Sequence, residues 1–174
     1  MRRWKGLPAI ALLVAVGCGK DVPEIAPEER APASDSRGAG KVEIVAAPES
    51  VDVTALVRAE LARAKADGKV LLVYVGAKWC EPCTRFHDAA KAGKLDRGFP
   101  ALRLLEFDLD RDADALARGG YSSKMIPLFA VPLANGRGSG EQIQGGIKGD
   151  GAVRHITNRL APLVARARAE EAKR

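Results

Sequence analysis

Cysteine is scarce in this 174-residue chain, which has three. A disulfide-rich scaffold is therefore excluded, and at most one intrachain pair can form with one thiol over. Aromatic residues make up 5%, and there are two His and two Met. No basic stripe with interleaved aromatics occurs, so nucleic acid is not an expected partner. Long hydrophobic runs are missing too. The apolar run at residues 7–16 is too short to cross a bilayer as a stable helix. There is no internal repeat and no cofactor motif, so no cofactor and no metal are expected.

What is present suits one ordinary domain and a tail. Hydrophobic residues reach 47% and charged residues 29%, enough for a core under a soluble surface. The net charge is +6. Its basic residues are mostly interleaved with acids, and Arg166 and Arg168 read as a solvated helix face.

The N-terminus reads as an export signal. Arg2, Arg3 and Lys5 precede the apolar run, which ends in Ala15-Val16-Gly17-Cys18. Small residues before a lone cysteine resemble the lipobox of bacterial lipoproteins. That resemblance implies cleavage before Cys18, a diacylglycerol on its thiol and an acylated new N-terminus. Several acyl chains anchor far better than one. Ala15 stands where leucine is usual, and an ordinary secretory peptide with an incidental cysteine is the other reading. Gly19, not aspartate, follows the cysteine, which favours the outer membrane by the enterobacterial sorting rule. The expectation is a lipid-anchored protein of the cell envelope facing the periplasm. Loss of the three basic residues would lower the net charge by three.

Residues 1–17 are then a signal peptide and 18–40 a lipidated cysteine with a disordered tether. The tether is rich in Pro, Ala, Glu and Ser and has no hydrophobic period. Residues 41–174 form the folded domain. Residues 42–45 read as a strand, and Val53, Leu56, Val57, Leu61 and Ala64 recur at helical spacing. Residues 70–75 are a continuous apolar, β-branched run, as expected of a strand covered on both faces. A helix follows from about Cys80 to Ala92. A buried strand at 101–109, a short helix capped by Asp112, a strand at 128–133, an Asn135-Gly136 turn and a returning strand at 141–144 come next. Val153, Ile156, Leu160, Leu163 and Val164 mark a last helix, with Pro162 a kink. The order βα-βα-βα-ββ-α predicts an α/β fold: a central mixed sheet with helices on both faces.

Chemistry concentrates in Gly76-Ala77-Lys78-Trp79-Cys80-Glu81-Pro82-Cys83. With Cys18 lipidated, Cys80 and Cys83 are the remaining pair. Two intervening residues in a first helical turn bring the sulfurs within bonding range. At a helix N-terminus, free N–H groups and the macrodipole favour a thiolate on Cys80. Cys80 is then the attacking nucleophile, and Cys83, one turn deeper and expected to be less exposed, resolves the mixed disulfide. Glu81 would oppose ionisation of a neighbouring thiolate, and exposed Lys78 would favour it.

Trp79-Cys80-Glu81-Pro82-Cys83 resembles the W-C-x-P-C signature of the thioredoxin superfamily. Lys124-Met125-Ile126-Pro127 falls where that family carries its cis-proline, and Ala134-Asn135-Gly136 resembles its hairpin turn. The resemblance covers about residues 42–165 and looks closest to envelope thioredoxin-like reductases. It implies a thioredoxin fold, Cys80 and Cys83 as a catalytic, redox-active pair, and Pro127 as the cis-proline. It also implies Trp79, Ile126 and Pro127 at the substrate, with Glu81 and Pro82 tuning the pair. Implied partners are exported proteins with cysteines or disulfides and a membrane thiol electron donor. One position departs: Tyr74 stands where thioredoxins carry a buried aspartate, six residues before the first cysteine. The acid held to assist proton transfer at the second cysteine is missing there.

Two other readings use the same thiols. Cys80, Cys83, His87 and His155 could hold zinc, or the pair could bind copper. Alternatively, the domain is a non-catalytic interaction module.

Overall fold

The computed structural model describes residues 40–49 and 51–173. The signal segment, Cys18 and nearly all of the expected tether lie outside these residues. Nine elements follow in the order β1 (Glu43–Ala46), α1 (Val53–Ala66), β2 (Val70–Gly76), α2 (Glu81–Lys91), β3 (Leu102–Asp108), α3 (Leu109–Gly119), β4 (Leu128–Pro132), β5 (Gly138–Gln144) and α4 (Ala152–Ala172). The five strands form one sheet in the order β1-β3-β2-β4-β5. β3 is parallel to both β1 and β2, while β4 runs antiparallel to β2 and β5 antiparallel to β4. This is the mixed sheet of the thioredoxin fold.

The sheet divides the core in two. Along β2, Leu72 and Tyr74 face one side, with Phe86 of α2 and Ile156, Leu160 and Leu163 of α4. Leu71, Val73 and Val75 face the other, with Val57 of α1 and Leu116 of α3. Helices on both faces explain why β2 is apolar without alternation. Leu72, Leu104 and Leu160 are fully buried, and burial of each such side chain stabilises the fold by roughly 1.5–3 kcal/mol. Phe129 ties the first side together, stacking on Tyr74 at 4.9 Å and meeting Phe86 edge-on at 5.0 Å.

The starts of α3 and β5 differ from the sequence reading. α3 starts at Leu109, because Asp108 caps it by accepting from the Asp110 N–H at 2.9 Å. Asp112 is not the cap; it lies in the first turn and accepts the Asp108 N–H in return, at 3.1 Å. β5 begins at Gly138, three residues early, because its pairing with β4 reaches Pro132↔Gly138 past a bulge. Backbone pairing holds Gly-Ser-Gly in the strand although its composition reads as loop. α4 spans Ala152–Ala172 and, as expected, holds Pro162 within it. No described helix is long and apolar enough to cross a membrane.

Candidate active site

β2 ends at Gly76, and a short loop delivers Cys80 to the N-cap of α2. Cys80 and Cys83 are disulfide-bonded, with Cα atoms 5.2 Å apart. The Cys80 sulfur also accepts the Cys83 N–H at 3.3 Å, as an N-cap side chain does. Pro82 sits in the first turn of α2, where a missing N–H costs nothing. The expected difference in exposure between the two cysteines does not appear: Cys80 is 4% exposed and Cys83 3%.

Val75 pairs with Leu128, so Pro127 lies at the end of the sheet where β2 leads to the disulfide. The Ile126–Pro127 bond is cis. Pro127 is buried and Ile126 half-buried. Gly146 packs between two prolines: a Cβ there would stand 3.0 Å from Pro82 Cβ and 3.6 Å from Pro127 Cδ. The segment before the cis bond is held from β5, as the Gln144 side-chain oxygen accepts from Lys124 N–H at 3.1 Å and Ser123 O–H at 2.6 Å. Arg159 of α4 in turn donates to the carbonyls of Gln144 and Gly145. Sequence reasoning missed Gln144, Gly146 and Arg159; their partners come from distant segments.

Trp79 is 66% exposed, and its indole N–H donates to Asp110 at 2.9 Å. Met125 and Ile147 are exposed as well. Glu81 does not turn its charge on the thiols alone. It accepts from Arg85 Nε at 2.8 Å and from the Gly149 N–H at 3.0 Å. The Arg85 bond, followed by that of Gly149, holds its carboxyl below the usual range. With Arg85 beside it, Glu81 opposes a thiolate on Cys80 less than an unpaired acid would.

Tyr74, the position that departs from the family pattern, is fully buried with its hydroxyl beside Gly76: a Cβ on that glycine would stand 3.0 Å from the hydroxyl and 3.6 Å from Cys83 Cβ. Burial, followed by the charge of Glu106, holds that hydroxyl well above the phenol range. Glu106 is the cross-strand neighbour of Tyr74 and lies 2.7 Å from His87 Nε2. His155 packs against Arg159. Both imidazoles of the zinc reading thus have other partners, and among the described residues no three His, Cys, Asp or Glu side chains are grouped to hold a metal.

No family profile matches the chain. Over 70 residues, 40% of the chain, it is 33% identical to an H-type thioredoxin of Populus jackii, and the match spans 48% of that relative. Among solved structures it is similar to a poplar thioredoxin h, with 23% identity over 70% of this chain and 96% of that one, at a TM-score of 0.43. A thioredoxin from Nicotiana alata is 16% identical over 73% of this chain and 94% of that one, at a TM-score of 0.47. The chain thus spans about half the length of the curated relative it matches, and its strand order is that of the thioredoxin fold.

Proposed function

We propose that this chain is a thiol–disulfide oxidoreductase that reduces or exchanges disulfides in exported proteins. The observation that carries this reading is the Cys80–Cys83 disulfide at the N-cap of α2. On reduction, Cys80 is left where the helix N-terminus stabilises a thiolate. That thiolate attacks a substrate disulfide and forms a mixed disulfide. Cys83 then displaces the substrate and restores the internal bond.

The exposed apolar side chains of Trp79, Met125 and Ile147 suit a polypeptide substrate rather than a small polar one. In this reading the substrate chain lies along Trp79, Ile126 and Pro127. Residues 1–40 support an envelope location: the export signal, Cys18 as the lipid anchor and the tether set the domain in the periplasm, on the outer membrane. Each turnover there consumes two electrons, so a membrane thiol donor must reduce the pair again.

Trapping tests the reading. With Cys83→Ala, the mixed disulfide on Cys80 has no resolving thiol and should accumulate in the native envelope. Adducts that vanish on reduction and need Cys80 are expected. An envelope without such adducts would overturn the proposal.

A further inference from the structure

Cys83 must lose a proton before it can attack, yet it is buried. A cavity of about 410 Å³ opens beside it, lined also by Tyr74, His87 and Glu106. His87 lies one helical turn after Cys83 on α2, and Glu106 faces it from β3. The Tyr74 hydroxyl is buried and has no protein partner. Its ring centroid is 5.5 Å from that of His87. A polar-lined space of this size admits water.

We infer that the His87–Glu106 pair takes the proton of Cys83, through water in this cavity, in the step that resolves the mixed disulfide. The inference rests on the exchange chemistry proposed above. The Cys83 S–H proton passes through water to the pair, which goes from imidazole and carboxylate to imidazolium and carboxylate. The Cys83 thiolate attacks the Cys80 sulfur. The Cys80–Cys83 bond forms and the bond from Cys80 to the substrate sulfur breaks. The substrate sulfur leaves with the electron pair and takes a proton from water. The cysteine pair is oxidised by two electrons and the substrate disulfide is reduced.

Other groups in the cavity are worse acceptors. Tyr74 stays protonated and offers no basic oxygen to take the proton. Asp108 is occupied as the cap of α3. Arg111 pairs with Asp112, and Lys78 and Lys91 are cations. Asp88 also lines the cavity but is exposed. His87 and Glu106 act on Cys83 through water and are positioning residues.

The test uses the full chain carrying Cys18→Ser, reduced, with 5,5′-dithiobis(2-nitrobenzoate) as the disulfide probe. Attack by Cys80 releases one thionitrobenzoate and resolution by Cys83 releases a second, so the two steps are read apart in stopped flow. Glu106→Gln keeps an acceptor for the imidazole and removes the charge; His87→Gln removes the imidazole. In each variant the ratio of the second rate to the first should fall about tenfold, short of the full ~10²–10⁴ of a directly placed base. The pH profile of that ratio should flatten. A ratio and profile matching the parent in both variants would overturn the inference. If Glu106→Gln fails to fold, His87→Gln, at a half-buried helix position, carries the same test. A parent protein that releases no second thionitrobenzoate would instead sink the exchange chemistry itself.

Discussion

The indole of Trp79 is tied to Asp110 by a 2.9 Å hydrogen bond that spans 31 residues of sequence. The bond joins the loop before the disulfide to the first turn of α3 and sets the pose of a side chain that is mostly in water. Asp110→Ala should free the indole at little cost to the fold, under about 1 kcal/mol for so exposed a bond. The other tryptophan, Trp4, lies in the segment proposed to be removed. Fluorescence anisotropy of the processed protein therefore reports Trp79. The anisotropy should drop in the variant; an unchanged value would show that Asp110 does not fix the ring.

Gly146 stands against both Pro82 and Pro127. A methyl at this position would meet ring and Cβ carbons that cannot swing aside. Gly146→Ala should destabilise the fold by about 1–3 kcal/mol, the usual cost of overpacking. It should also slow disulfide exchange, since the two prolines must part. Urea unfolding and a turnover assay on a protein disulfide check the two effects separately. Parent-like stability and turnover together would show that the loop yields freely.

Glu43 of β1 is ion-paired with Lys69 and with Arg103 of β3. The Lys69 bond first, followed by that of Arg103, holds its carboxyl below the ordinary range. A depressed carboxyl stabilises the fold above its unfolded value of about 4.3, and the contribution is lost as pH falls through the folded value. The side chain is more than a third exposed, so the effect is small. Glu43→Gln should lower Tm at pH 7 by at most about 4 °C. The gap to the parent should close as the pH drops through that window. A gap that is constant with pH would assign the effect to packing.

Much of the fold was legible in local pattern. The unbroken apolar run of β2 and the helical spacing in α1 are each set by neighbours within one element. β5 was only half legible, because Gly138-Ser139-Gly140 takes its strand state from pairing with β4. By sequence Asp112 reads as a cap, because residue type alone does not say which of two aspartates, four positions apart, meets the first free N–H groups. In the site, the sequence named Cys80, Cys83, Trp79 and Pro127 from two short words. It could not show what surrounds them. Glu81 with Gly149, His87 with Glu106 and Trp79 with Asp110 join residues 68, 19 and 31 positions apart. Those pairings follow from the strand order and have no trace in spacing. Arg85, which offsets the charge of Glu81 beside the thiols, is different: it lies four residues on along α2, a spacing the sequence does show.

The reduction potential of the Cys80–Cys83 pair tests the central claim most directly. It is measured by equilibrating the protein with defined thiol–disulfide buffers and counting free thiols by alkylation. A reductant of exported disulfides should show one two-electron transition near the ~−270 mV of thioredoxin. A value near ~−120 mV would mark a strong oxidant and contradict the proposed reductase.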